Sequence, residues 1–348
     1  DLNTNTAGCG GTASFLINGT SSQNIFGSSS MYQGAFPPFI VNKSSGTLNL
    51  IGYLNFYYGF TWVAGTVNPG SSTCVFTNLA ALGSQTVDAA PTGISFYDVI
   101  FDQPDYTWTY LKTGIKCLGS VTITAGSGIR PNNNTFTLAG NFTSLNTTAT
   151  GASQVIYGGT GLSLVLNGTT AQTITSNNPG GSTNKFFVYD LTLNNTAARV
   201  NNDDIYPADI LTVAHSASLL SGKMLTGNTA YLSLKDGASI NTGNSSSFVN
   251  GPMRYEMAAS ATRTLNFPIG ESDKWRYASV IVSHTTNTSY TYSTQVVSGS
   301  AITSSNEIPA SVNNISGVRY FQIERLLTST GNSSSAGLNG NQTIIIHY

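Results

Sequence analysis

This chain of 348 residues is short of charge. Lys, Arg, Asp and Glu make up 8% of it, against about a quarter of an ordinary soluble domain. Cations are scarcest at the start, where Lys43 is the only Lys or Arg in the first 111 residues. Phosphate binding needs clustered Lys and Arg, so no nucleic-acid partner is expected. An anionic membrane surface is disfavoured for the same reason. No apolar run approaches the roughly 20 residues of a spanning helix, so membrane insertion is not expected, and no signal peptide is expected at Asp1. Cysteine is also rare. Cys9, Cys74 and Cys117 are too few for a disulfide scaffold and form no CxxC pair. Cys74 (STCVFTN) and Cys117 (GIKCLGS) sit in strand-like text. They read as buried thiols, or as part of one disulfide that leaves a single free thiol; the pairing stays open. Helical periodicity is nearly absent, and no GxGxxG, Walker, HExxH or GxSxG pattern occurs.

Neutral polarity replaces charge. Ser and Thr together number 88, Asn 34 and Gly 36. With 40% hydrophobic residues the chain can still bury a core, which a disordered chain cannot. Twelve Asn-x-Ser/Thr sites occur, too near the chance expectation for this composition to argue for glycosylation. Solubility through hydroxyls and amides is common outside the cell, so an extracellular, cell-surface location is expected.

A repeated phrase organises the chain. Phe15–Ile25 reads FLINGTSSQNI, Leu164–Ile174 reads LVLNGTTAQTI, and a worn copy, LGSQTV, lies at Leu82–Val87. Two copies share a downstream echo, FYDVIFD at Phe96–Asp102 and FVYDLTLN at Phe187–Asn194. Between them run short apolar segments such as TLNLI, SVTIT and LSLVL, punctuated by Gly, Asn and Ser. Short strands parted by turn residues indicate an all-β chain. Internal repeats in such a chain point to stacked rungs, and irregular spacing fits a solenoid whose insertions bulge from one corner. The reading is a right-handed parallel β-helix over residues 1–243, with the two NGT copies at equivalent rung positions. A stack of two-sheet sandwiches is the alternative.

The texture changes near Asn244. NTGNSSS at Asn241–Ser247 reads as a linker, and six of the fourteen Lys and Arg lie between Arg254 and Arg325. Residues 244–348 are expected to form an antiparallel β-sandwich that caps the solenoid, because an open last rung exposes both its apolar interior and its edge strands. The terminal strand Thr343–Tyr348, with three consecutive Ile, must be paired; closure within the same chain against Val318–Ile323 is expected, and donation to a neighbouring subunit is the alternative.

NGTTAQTI, YDLTLNN, SFVNGPMR, NFPIG, RYASVIV and ISGVRYFQI occur in that order from residue 167 onward. In this order they resemble modules of large secreted and surface proteins of Bacteroidetes, typically exported by the type IX secretion system, some serving gliding or adhesion. The resemblance covers residues 150–348 well and the first 150 loosely, and it carries no catalytic residues. The sorting domain that usually closes such proteins is missing, which makes this chain, on that resemblance, a segment of a longer protein.

Candidate chemistry is sparse. Asp98, Asp102 and Asp105 form the densest acidic group, and Asp98 and Asp102 fall on the same side of an extended strand. Paired carboxylates serve glycoside hydrolysis, yet Asp98 belongs to the repeated YD echo shared with Asp190 and so reads as structural. Asn201–Asp204 with Asp209 offers oxygens for calcium, centred on Asp203 and Asp204, without the spacing of an EF-hand loop; a turn capped by Asn and Asp is the plainer reading. His215, His284 and His347 lie far apart, and none is near a Cys. Tyr106, Trp108 and Tyr110 alternate with Thr and place three aromatic rings on one strand face. A second aromatic group runs from Tyr53 to Trp62. Exposed, such rings stack on sugars; buried, they form a ladder.

The expected function is a non-enzymatic structural segment of an extracellular surface protein, an adhesin stalk or filament subunit. It needs no cofactor, and its partners are copies of itself, other surface-protein domains or extracellular polysaccharide. The alternatives are a carbohydrate-binding or polysaccharide-degrading β-helix protein, and a pilus-like fibre that exchanges strands.

Overall fold

The computed structural model describes residues 13–31, 33–77, 85–89, 95–103, 108–124, 128–145, 161–176, 186–203, 210–284, 288–300, 316–327 and 343–347, without side-chain detail for 108, 176, 186, 197–203 and 343–347. The chain is all-β, with no helix among the described residues. It is a parallel β-solenoid whose strands stack in three ladders. The first ladder takes Phe15–Ile17, the starts of Phe39–Ile51 and Phe60–Asn68, then Gln85–Asp88, Trp108–Leu111 and Gly128–Arg130. The second takes Gln23–Phe26 and the later halves of those two long strands; its place is held further on by Ser95–Phe96, Ile115–Cys117, Thr135–Leu138 and Ser163–Leu166. The third takes Tyr53–Phe56, Thr73–Thr77, Asp98–Asp102, Val121–Ile123, Phe142–Ser144 and Gln172–Ser176. The long strands Phe186–Asp203 and Ile210–Leu225 bend through register shifts and continue the stack.

Alternation explains the burial. In Asp98–Asp102 the pattern runs outward, inward, outward, so Val99 and Phe101 are buried while Asp98, Ile100 and Asp102 face out. Parallel register then repeats each inward residue one turn later. Phe15, Phe39 and Phe60 are register partners, as are Phe56, Phe76 and Phe101. Phe39 and Phe60 stack at 5.8 Å and Phe56 and Phe76 at 5.5 Å. The two columns meet edge to face, Phe39 on Phe56 at 5.3 Å and Phe56 on Phe60 at 5.4 Å. Offset stacks and T-shapes are the arrangements that the ring quadrupole favours. Further along, the columns turn aliphatic: Leu138, Leu166, Leu193 and Leu219 are successive partners, all buried. Cys74 and Cys117 occupy the same kind of inward position as free thiols, and burial pushes the Cys74 thiol up to about 12. Desolvation raises Cys117 likewise, so neither is a nucleophile at neutral pH. Cys9 lies outside the described residues.

The repeated phrase turns out to be a corner, not a rung marker. Asn18–Thr20 leads from the first ladder into the second, whereas Asn167–Thr169 leads from the second into the third. The expected equivalence of rung position therefore fails, because the local requirement is a tight turn and any corner can use it. In both copies a Gln four residues on folds back beneath the turn. A Cβ on Gly168 would lie 2.5 Å from the Ala139 carbonyl oxygen, a backbone atom that cannot give way, so that position requires glycine; one on Gly19 would meet Gln23 Oε1 at 2.7 Å, the end of a side chain that can shift. Gln172 is fully buried and satisfied: Oε1 accepts from the Gly168 amide at 2.9 Å and from Asn195 Nδ2 at 2.6 Å, and Nε2 donates to the Leu138 and Gly140 carbonyls. At the first corner the buried partner is a cation. Lys43, 1% exposed, donates through Nζ to Gly19 O at 2.5 Å, Ser21 O at 2.9 Å and Gln23 Oε1 at 2.7 Å. Three donors meet three acceptors, the condition for burying an ammonium.

Parallel pairing runs past Asn244. Val249–Asn250 lies parallel to both Met224–Leu225 and Ile269–Gly270, and Met253–Met257 extends from Tyr231–Leu234. The changeover falls on these strands. Met253–Met257 pairs antiparallel with Tyr290–Ser298, which pairs with Arg319–Leu327. Thr262–Glu271 pairs antiparallel with Lys274–Ser283. The result is a mixed sheet continuous with the solenoid. Bidentate Arg263–Asp236 at 3.0 Å and Lys235–Glu256 at 2.5 Å tie the last parallel turns to the antiparallel strands. Thr343–His347 closes within its own chain, but against Lys274–Ser283 and not against Val318–Ile323. The expected partner lies instead in Arg319–Leu327, which pairs along Tyr290–Ser298, whereas the edge of Lys274–Ser283 away from Thr262–Glu271 receives the terminal strand.

Two outcomes follow from this packing. Phe76→Ala, at a fully buried site between Phe56 and Phe101, is expected to cost about 3–5 kcal/mol, whereas the outward Thr143→Ala stays within about 0.5 kcal/mol, both read as shifts in the urea midpoint. The second concerns His284, buried among Tyr290, Tyr292 and Arg325, with Nε2 2.6 Å from the Tyr292 hydroxyl. Burial, then the Arg325 guanidinium, lower its pKa below the ordinary 6.5. Between 6.5 and that lower value the unfolded chain binds the extra proton, so stability rises with pH there and is lost as pH falls below 6.5. Urea midpoints across that range are expected to slope in wild type and flatten in His284→Asn.

Candidate functional site

The outward carboxylates are held by the rungs on either side of them. Asp102 accepts from Thr77 Oγ1 at 3.4 Å on the preceding turn and from Thr124 Oγ1 on the next. Asp98 accepts from the Ser120 amide at 2.6 Å, and both carboxylates face outward as their spacing predicts. Asp190 spans three turns: Ser163 Oγ donates at 3.1 Å, Ser216 Oγ donates to the other oxygen, and His215 Nδ1 lies 2.8 Å away. Ser163 and Ser216 are its register neighbours. Burial alone would raise the Asp190 pKa, but the hydrogen bonds from Ser216, His215 and Ser163 outweigh it and hold the carboxyl below the ordinary 3.8. Each of these acids hydrogen-bonds to an adjacent turn, and Asp102 and Asp190 join the turns on both sides, so they act as bolts between rungs. Asp105 lies outside the described residues.

His215 is the residue that sequence spacing missed. Its exposed ring stacks on Tyr189 at 4.7 Å with 7° between planes, and its Nδ1 contact fixes the ring against Asp190, 25 residues earlier. That separation is one turn of the coil, the interval that also relates Asn49 to Asn24 and Thr77 to Asp102. The signal was present as an Asp and a His one turn apart, readable only once the register is known. His284 sits in the antiparallel strands, and the side chain of His347 is not described.

The aromatic strand is placed in part. Tyr106 lies outside the described residues, and Trp108 is described as strand backbone only. Thr109 and Leu111 point inward, so Tyr110 faces out, half-buried with the Arg130 guanidinium 5.1 Å from its ring centre. The second aromatic group divides: Phe56 and Phe60 join the buried columns, while Tyr53, Tyr57, Tyr58 and Trp62 are half-buried. A cleft of about 520 Å³ lies at the start of the solenoid, lined by Phe15, Ile25, Phe26, Phe36 and Tyr53 with Asn24 and Gln33 at its polar side.

For calcium, Asp203 belongs to a strand whose side chain is not described there, and Asp204 and Asp209 lie outside the described residues. Among the described residues no group of three His, Cys, Asp or Glu is placed to hold a metal ion. Comparison with family models, with curated proteins and with solved structures finds no match to this chain. The arrangement offers outward hydroxyls, amides and a few bolted acids on a rigid stack. Asp190→Asn is expected to lower the urea midpoint at pH 7 by the equivalent of roughly 1 kcal/mol, and the difference from wild type is expected to vanish as pH falls below 3.8, where the wild-type carboxylate loses its advantage.

Proposed function

We propose that this chain is a non-enzymatic structural segment of an extracellular surface protein, a stalk or filament subunit. The observation that carries this reading is how the outward acids are spent. Asp98, Asp102 and Asp190 each bond to neighbouring turns, so the residues best suited to chemistry serve the stack. A right-handed winding accompanies this reading, since crossovers between parallel strands are right-handed in about 98% of cases. So does a C-terminal antiparallel sandwich, over residues 244–348, acting as the cap. The order of motifs from NGTTAQTI to ISGVRYFQI supports a module of the kind exported by type IX secretion in Bacteroidetes, and rests on that text alone. Its partners would be copies of itself or neighbouring surface domains.

Carbohydrate binding is a second reading, favoured by the outward Tyr110 with the Arg130 guanidinium over its ring. The two separate experimentally. Antibodies against the chain should label intact cells of the source organism. The purified chain should release no product from neutral or acidic polysaccharides and show no retention on them in affinity electrophoresis. Labelling only after permeabilisation, or a turnover abolished by Asp102→Asn, would overturn the structural reading. Retention lost in Tyr110→Ala would replace it with the second.

A further inference from the structure

The dipeptide Asn-Gly occurs four times, at Asn18, Asn167, Asn250 and Asn339. Asn339 lies outside the described residues, and the structure treats the other three differently. Asn167 Oδ1 is buried, and the following Gly168 amide donates to Gln172 Oε1 at 2.9 Å. Asn250 lies in a strand, where its Oδ1 accepts from the Ser272 amide at 3.1 Å and its Nδ2 donates to the Ser272 carbonyl at 3.2 Å. Asn18 is exposed, in the irregular corner between Phe15–Ile17 and Gln23–Phe26. Neither its side chain nor the Gly19 amide has a hydrogen-bond partner among the described residues.

We infer that Asn18 is a site of spontaneous deamidation selected by the fold. The Gly19 amide nitrogen attacks Asn18 Cγ. The new N–Cγ bond closes a five-membered succinimide, the Cγ–Nδ2 bond breaks, and ammonia leaves with the amide proton. Water then opens either carbonyl and gives aspartate or isoaspartate. Attack requires a free amide, a side chain not held by hydrogen bonds and no Cβ on the next residue. Asn18 meets all three conditions, whereas Asn167 and Asn250 each lack one.

The place gives the reaction a consequence. Gly19 O is one of the three acceptors of the buried Lys43 ammonium, at 2.5 Å. Isoaspartate inserts an extra backbone carbon immediately before Gly19 and draws that carbonyl away from Lys43. Plain aspartate leaves the backbone, and so the three acceptors, in place. Ageing at this one residue therefore loosens the first corner of the stack.

The test is to incubate the folded, purified chain at mildly alkaline pH, digest it and quantify each Asn-Gly peptide by mass spectrometry. Asn18 should convert at least about tenfold faster than Asn167 or Asn250, the factor supplied by one ordinary hydrogen bond withheld from the barrier. In denaturant the three rates should converge. A folded chain in which Asn18 reacts no faster, or a ranking unchanged in denaturant, overturns the inference. Isoaspartate-bearing chain, separated by ion exchange, should unfold at lower urea than Asn18→Asp. Equal midpoints would overturn the link to Lys43.

Discussion

Parallel stacking in register is the constraint on which everything else here depends. Each inward residue meets its counterpart one turn on, so a side chain has to suit two neighbours of its own kind. Phe columns satisfy this at the start of the stack and Leu columns further along. Stability in such an arrangement is shared between adjacent turns, and a defect is felt mainly by the turns that flank it. The same register brings Asp190 between Ser163 and Ser216, and Asp102 between Thr77 and Thr124. Outward polarity thus becomes a second set of connections parallel to the core.

Corners are where stacking is hardest, because each turn leaves backbone carbonyls without ladder partners, and a buried carbonyl left unpaired is costly. The chain answers with amide side chains that reach back under the turn. Gln172 satisfies all of its groups at one corner, and Asn195, one turn on, joins the same network. Lys43 does this with a full charge, its ammonium matched by two backbone carbonyls and Gln23. Its neighbour in the stack is Gly65, at φ +106°, where a Cβ would lie 2.6 Å from Lys43 Cβ. The cation that looks isolated in the sequence is therefore built into the first corner.

Much of the fold is legible in the sequence. Alternation around Val99 and Phe101, and the Gly and Asn corners, indicate stacked parallel strands, which the structure has. The NGT copies mislead about rung position because the phrase encodes a turn, and a solenoid has several equivalent turns. The C-terminal changeover is harder to read. Met253–Met257 and Thr262–Glu271 each carry a parallel neighbour on one side and an antiparallel one on the other, and alternating burial is the same for both. Pairing partners are likewise invisible to pattern, hence the misplaced partner of Thr343–His347. The Asp190–His215 contact escapes for the same reason: it exists only when residues 25 positions apart become neighbours.

Register can be measured directly by crosslinking. Thr122 and Thr143 are outward register partners on adjacent turns, and neighbouring strands lie about 4.8 Å apart, within disulfide range. Thr137 lies on another ladder of the same stack. In a background with Cys9→Ser, mild oxidation of Thr122→Cys/Thr143→Cys should give an intramolecular disulfide in the folded monomer, and Thr122→Cys/Thr137→Cys should give none. Failure of the first pair, or equal yields from both, would contradict the stacked register from which this account is built.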